Sequence, residues 1–345
     1  MKVLILGGTA WLGGVLARIA ATRGHEVTCL ARGESGNPPP GVRWVAADRR
    51  VDSAYDDVRD TDWDEVLDVS WQPGMVRSAV LALADRAAHW THMSSCSVSA
   101  SDDVPGADES APVHPPLAAD EAGWSEYGPA KSACEQAVGE ALGDRVLVAR
   151  AGLIGGRGDG SDRFGYWPAR FAWAAEHPAD ADGAVLAPAA LDQPTQTVHV
   201  DDLAEWLVDC AECRVGGTYN AVGEQVPLGD VLAAARAAAG HTGPLVTADP
   251  EWLLAQGIDF WMGPESLPLW LPGPEYAGHP ARSDAAAVAA GLRRRPVADL
   301  VADALGWERE LGLARDRKAG LTRARERELL GQLADGTGAP ELSTG

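Results

Sequence analysis
Lys2-Val3-Leu4-Ile5-Leu6-Gly7-Gly8-Thr9-Ala10-Trp11-Leu12-Gly13-Gly14 is the stretch on which the fold turns. Lys2 to Leu6 is a short apolar run and reads as a buried strand. The glycine turn follows at once. Val15 to Ala20 then reads as a helix ended by Gly24, and Val27-Thr28-Cys29-Leu30 as a second strand. Strand, glycine turn, helix and strand in that order are the context a dinucleotide-binding turn requires. Glycines let the backbone approach a pyrophosphate, and the helix N-terminus favours its charge. The spacing is Gly7-x-x-Ala10-x-x-Gly13, so a methyl at the middle position narrows the approach. A plain tight turn uses the same glycines. The strand and helix on either side favour the cofactor, with Gly7, Thr9, Ala10, Trp11, Leu12 and Gly13 as its cradle.

The end of the second strand bears on which nicotinamide is bound. An acidic side chain there would hold the ribose 2′-hydroxyl of NAD. This chain has Ala31-Arg32-Gly33-Glu34-Ser35 instead. Arg32 can pair with a 2′-phosphate and Ser35 can add a hydrogen bond. Glu34 opposes this reading unless it points away. NADP(H) is favoured, and NAD(H) stays open. Asp48 follows the strand Val42-Arg43-Trp44-Val45 and suits the adenine amino group.

Tyr127-Gly-Pro-Ala-Lys131 sets a phenol and an ammonium four residues apart, on one face of a helix. The ammonium favours the phenolate and brings its pKa toward neutrality. Such a phenol can give or take a proton at a carbonyl or alcohol. Most Tyr-x-x-x-Lys pairs are solvated helix faces, but this one comes third in an ordered set, after the Gly7 loop and the Ser94-Ser95 pair. Trp63 to Ser70 reads as a fourth strand with its lead-in, and His89 to Val98 as a fifth running into a loop. Active groups of open parallel sheets lie at the carboxyl ends of strands. Ser95 falls there. Ser94 and Ser97 read as loop or cap hydroxyls, and His92 as a packed core histidine. Cys96 has no neighbour in sequence to activate its thiol.

These pieces resemble the extended short-chain dehydrogenase/reductases, the NAD-dependent epimerase/dehydratase family. The resemblance rests on the Gly7 loop, Ser-Ser-x-x-Val at Ser94 to Val98, Tyr127-x-x-x-Lys131 and Glu135. It continues through Arg150-Ala-Gly-Leu-Ile-Gly-Gly, Val198-His-Val-Asp-Asp-Leu-Ala204 and Gly217-Thr-Tyr-Asn-Ala221, and so spans nearly the whole chain. It implies an α/β fold: a doubly wound, Rossmann-type parallel sheet with a smaller C-terminal substrate-binding domain. It also implies roles for three residues. Tyr127 is the general acid/base, Lys131 lowers its pKa and binds the nicotinamide ribose, and Ser95, selected by the family's spacing to Val98, hydrogen-bonds the reacting oxygen.

Two aromatic groups lie where family members bind substrate. One follows Arg157 and includes Arg163 and Trp167. The other includes Trp261 and Trp270. Arg163 suits an anionic or carbonyl group, with Trp167, Trp261 and Trp270 as walls. The competing reading is that these tryptophans only pack the small domain. Nucleotide-sugar members usually carry an arginine where this chain has Thr195-Gln196-Thr197, and a neutral threonine makes no bidentate phosphate contact. That loss, with the missing acidic residue after the second strand, favours an NADP(H)-linked oxidoreductase of a small metabolite over a sugar epimerase or dehydratase. A nucleotide-sensing protein without turnover is the third reading. It would need only the Gly loop, so the retained Ser95, Tyr127 and Lys131 weigh against it.

The chain has 345 residues, enough for one large domain or two smaller ones. Its net charge of −21 disfavours nucleic acid or an anionic membrane as partner. A small-molecule substrate is the expected partner, and a homodimer is compatible with the chain. It opens on a core strand without a signal peptide, has no apolar run long enough to cross a bilayer, and holds five cysteines. These features suit a cytoplasmic protein with reduced thiols. Cys210-Ala-Glu-Cys213 has no second pair to complete a zinc site, so no metal is expected. Residues 1–165 plus 195–224 read as the dinucleotide domain, 166–194 plus 225–295 as the substrate domain, and 296–345 as C-terminal helices. Ser99 to Pro116 reads as a loop over the active site, and Arg309 to Leu333 as a surface or partner-packing helix.

Overall fold
The computed structural model describes residues 1–336. They fall into two compact units. The first comprises residues 1–153, 198–223 and 282–294. Its strands are β1 (Lys2–Leu6), β2 (Glu26–Ala31), β3 (Arg43–Ala46), β4 (Glu65–Asp68), β5 (Trp90–Ser95), β6 (Val146–Ala151) and β7 (Gly217–Ala221). Its main helices are α1 (Trp11–Thr22), α2 (Pro73–Leu83), α3 (Tyr127–Leu142) and α4 (Val200–Cys213). The strands form one parallel sheet in the order β7-β6-β5-β4-β1-β2-β3. The chain winds outward from β1 through β2 to β3, then restarts on the other side at β4. The switch point therefore lies between the ends of β1 and β4, where the Gly7 turn and Ser70 emerge.

The strands are apolar on both faces because helices cover both. Leu4, Leu6, Leu30, Val66, Trp90 and Val148 pack with Val76, Ala79 and Leu83 of α2 and with Cys134, Val138 and Leu142 of α3. Arg18 of α1 meets Asp201 of α4 at 2.5 Å, and Arg23, just past the end of α1, meets Asp209 of α4 at 2.5 Å. His92 is fully buried in β5, and burial lowers its pKa to about 3, so it is a neutral core histidine. Cys96 is buried, which pushes its thiol up to about 12. Cys210 is buried and Cys213 exposed, and the described residues hold no cluster of His, Cys, Asp and Glu fit for a metal. No described helix is long and apolar enough to cross a membrane.

The second unit comprises residues 154–197, 224–281 and 295 onward. Its central helix, Arg163–Glu176, is buried along most of its length. The boundaries differ from those read in the sequence. Residues 154–165 leave the first unit early: Arg157 N donates to Asp303 at 2.6 Å, and Gly155 sits against Phe164 and Leu300. Residues 282–294 return to the first unit, where Trp206 Nε1 donates to the Ala290 carbonyl at 3.1 Å and Asn220 Nδ2 to that of Ser283 at 3.0 Å. The segment Arg309 to Leu333 is not one helix. Val297–Leu311 ends at Gly312, whose φ is +91°, and Arg323–Ala334 starts anew with Thr322 as its cap. Glu326 is fully buried on that last helix. It takes hydrogen bonds from Arg170 and from Leu186 N, the latter at 2.9 Å, so the helix packs within its own unit. The expected C-terminal helical region extends to residue 345, and its residues 337–345 lie outside the described residues.

Candidate active site
The glycine turn has the geometry its spacing implied. Gly7 has φ +93°, a conformation that L side chains rarely adopt. A Cβ on Gly13 would stand 2.3 Å from the Gly7 carbonyl oxygen, so only glycine lets α1 approach β1 this closely. Ala10 precedes α1 without a side-chain cap, and the helix's first turn carries no acidic residue. A helix start without an acidic side chain or a side-chain cap suits an anion.

A cavity of about 550 Å³ lies in the first unit, lined among others by Arg32, Arg49, Arg50, Gln72, Asp120 and Glu121. Arg32 is partly exposed and meets Glu34 at 2.9 Å. Ser35 is exposed. The Asp48 carboxylate is held by Arg50, with contacts of 2.5 to 3.0 Å, and hydrogen bonds from Arg50 hold its pKa down at about 2. Asp48 therefore faces Arg50. Arg49 turns inward. It donates to both Asp68 oxygens at 2.8 and 2.7 Å, to Tyr55 Oη at 3.0 Å and to the Met75 carbonyl at 2.7 Å. The sequence reading missed Arg49 and Arg50, although the basic doublet directly after Asp48 was visible. A larger cavity of about 890 Å³ behind α3 touches none of Ser95, Tyr127 and Lys131.

Tyr127 opens α3 and Lys131 lies one turn further on. Lys131 is buried, and its ammonium donates to the Ser70 carbonyl at 2.9 Å and to the Met93 carbonyl. It thus sits at the carboxyl ends of β4 and β5 at once. Burial brings its pKa down to about 8, against the opposing pull of Asp68 and Glu135. The first turn of α3 abuts the turn after β5, since a Cβ on Gly128 would stand 2.4 Å from the Ser97 carbonyl oxygen. The two adjacent serines part company, as alternation along a strand requires. Ser94 is buried and donates to Glu135 Oε1 at 2.5 Å, and Glu135 accepts from Arg150 at 3.0 and 2.8 Å. Ser95 is partly exposed, and its Oγ accepts from Ser97 N at 3.2 Å.

Among solved structures, one of a candidate epimerase from Burkholderia cenocepacia J2315 has a TM-score of 0.68 at 18% identity, covering 90% of this chain and 98% of that one. The UDP-glucose 4-epimerase of Thermus thermophilus, in complex with NAD, has a TM-score of 0.61 at 19% identity, with coverage of 90% and 99%. The UDP-Glc/GlcNAc 4-epimerase of Campylobacter jejuni has 0.64 at 13% identity, also with coverage of 90% and 99%. The chain has the fold of these epimerases. No protein-family model matches it, and no curated protein does either. Within that fold the Gly7 turn, Ser95, Tyr127 and Lys131 lie at the carboxyl end of the sheet.

The expected substrate residues divide. Trp167 is fully buried in the second unit and its indole donates to the Pro268 carbonyl at 2.8 Å. Trp270 is fully buried as well. Both are core side chains of that unit rather than pocket walls, which corrects the sequence reading. Arg163 lies 5.2 Å over the ring of Trp261, and Trp261 meets His279 edge-on at 4.9 Å. That stack is partly open to solvent. Thr195 is buried and donates to the Val226 carbonyl at 3.0 Å, so it offers nothing to a diphosphate.

Proposed function
We propose that the chain is an enzyme of the extended short-chain dehydrogenase/reductase type, an NADP(H)-preferring oxidoreductase acting on a carbonyl or alcohol of a small metabolite. The observation that carries this reading is Lys131, fastened to the Ser70 and Met93 carbonyls one turn after Tyr127, with the Ser95 turn packed against the start of α3. The glycines of the Gly7 turn and the uncapped start of α1 fit a pyrophosphate, so Gly7, Thr9, Ala10, Trp11, Leu12 and Gly13 would hold the cofactor there. When bound, the nicotinamide supplies or accepts the hydride. Lys131 would anchor its ribose. Tyr127 Oη gives a proton to the substrate oxygen in reduction and takes it in oxidation. Ser95 Oγ would orient the same oxygen.

The NADP(H) preference is supported by Arg32 and Arg50 on the cavity wall and by Ala31, not an acid, ending β2. Replacing Arg32 by alanine should weaken NADPH by about 1.5–3 kcal/mol, the range of a charge-assisted hydrogen bond, and leave NADH nearly unchanged. Calorimetric titration of both cofactors checks this. Equal losses would mean that Arg32 does not read the 2′-phosphate.

The similar structures described with NAD and as UDP-sugar 4-epimerases favour a second reading, an NAD-dependent sugar epimerase. Stoichiometry separates the two. A reductase consumes free NADPH one for one with product, while an epimerase returns its cofactor each cycle. The purified protein should therefore carry little tightly held NAD and bind UDP-sugars weakly. Product formation with no change in the NADPH absorbance band would overturn the reductase.

A further inference from the structure
Trp71, Trp124 and Tyr127 form a compact aromatic cluster. The two indoles stack with centroids 5.2 Å apart and planes 23° apart, and Tyr127 lies 5.4 Å from Trp71 and 5.5 Å from Trp124. Trp124 is nonetheless 74% exposed. An indole left open to water beside a proton donor is apolar surface that folding has not used. We propose that Trp71 and Trp124 form a platform that selects a substrate whose carbonyl or alcohol carbon is borne on an aromatic ring, an inference that rests on the hydride-transfer reading above.

The platform is held in place from both sides. Trp71 directly follows Ser70, whose carbonyl receives the Lys131 ammonium. Trp124 follows a segment clamped to the start of α2. Gln72 Nε2 donates to the Ala122 carbonyl at 3.1 Å, and Ala122 N donates back to Gln72 Oε1 at 2.9 Å. Gly74 N donates to the Asp120 carbonyl at 2.9 Å, and Arg77 donates to the carbonyls of Leu117, Ala118 and Ala119 at 2.8 to 3.2 Å. A clamp of this kind fixes where the exposed indole stands relative to Tyr127. Aromatic rings pair with centroids about 4.5–7 Å apart, so a ring on this face stays near the phenol. A sugar would need polar side chains for its hydroxyls. The Gln72 amide beside Trp71 is engaged by Ala122 through both its nitrogen and its oxygen.

The test is NADPH-dependent reduction of 2-naphthaldehyde against hexanal by the wild type, Trp124→Ala and Trp124→Phe. The preference for 2-naphthaldehyde, as a ratio of kcat/KM values, should fall about tenfold or more in Trp124→Ala, chiefly through KM, and recover in Trp124→Phe. NADPH affinity should stay within about twofold of wild type. An unchanged preference overturns the platform. So does a loss of NADPH affinity, which would assign the indoles to the cofactor. If the wild type reduces neither aldehyde, the hydride-transfer reading fails on its own. The platform is then decided by saturation-transfer NMR with 2-naphthalenemethanol: ring saturation lost in Trp124→Ala supports it, and saturation absent or equal in both proteins overturns it.

Discussion

Replacing Tyr127 by phenylalanine should lower kcat by about two orders of magnitude or more, the usual loss when a positioned acid/base is removed. The substitution deletes one oxygen and keeps the ring that packs against Trp71 and Trp124. Cofactor affinity should therefore persist, because Lys131 is anchored by the Ser70 and Met93 carbonyls rather than by the phenol. Steady-state kinetics with a confirmed carbonyl substrate, beside NADPH titration, decide the matter; undiminished turnover would remove Tyr127 from the mechanism. The wild type adds a pH signature. Lys131 is charged below its pKa of about 8 and loses its charge above it. In the reductive direction kcat/KM should be level below that pH and fall above it. A loss of the stability contributed by this group does not explain such a fall. The folded pKa lies below the ordinary lysine value of 10.5, so between the two the unfolded chain binds more protons, and stability from this group rises with pH.

The parts of the site that were legible in sequence are those whose geometry is local. Gly7 to Gly13 reads correctly because a strand, a left-handed turn and a helix start are set by adjacent residues. The one-turn spacing of Tyr127 and Lys131 on α3 was legible because a helix puts positions four apart on one face. The illegible parts depend on partners brought from elsewhere. Nothing adjacent in sequence shows the role of Arg49, because its partner Asp68 ends a different strand. Trp167 and Trp270 have the composition of a binding wall, and only the packing of Arg163–Glu176 within its unit shows them to be core. Trp71 and Trp124 lie 53 positions apart by number, and only the Gln72 clamp on Ala122 brings them together. The helix read from Arg309 to Leu333 failed at Gly312, where a positive φ ends one helix before Thr322 caps the next.

The buried Arg49–Asp68 pair should show the largest effect on stability. Burial opposes the charge on Asp68, and the charge and hydrogen bonds of Arg49 overcome that penalty and hold its pKa below the usual carboxylate range. Arg49→Met removes the compensation and leaves a fully buried carboxylate, with Ser70 N at 2.9 Å among its remaining hydrogen-bond donors. Breaking a buried pair in this way costs about 3–5 kcal/mol, a large share of the roughly 5–15 kcal/mol that stabilises a domain. Urea unfolding should show that loss near neutral pH. The pH dependence has a definite sign. In the wild type Asp68 titrates below its unfolded value, so it contributes stability above that value, and the contribution is lost as pH falls through the folded pKa. In Arg49→Met burial acts without Arg49 and raises the folded pKa above the unfolded one. The variant then becomes less handicapped as the pH is lowered, because protonation removes the buried charge. The penalty should therefore be smaller at about pH 5 than at pH 7.5. Arg49→Met combined with Asp68→Leu should recover most of the stability, since a well-packed apolar pair removes the orphaned charge along with its partner. The double variant should also keep NADPH affinity within about threefold, because Arg49 is directed at Asp68. A single variant as stable as wild type, or a penalty independent of pH, would show that the ion pair does not hold this corner of the sheet. A double variant that regains stability and loses NADPH would instead make Arg49 a reader of the cofactor.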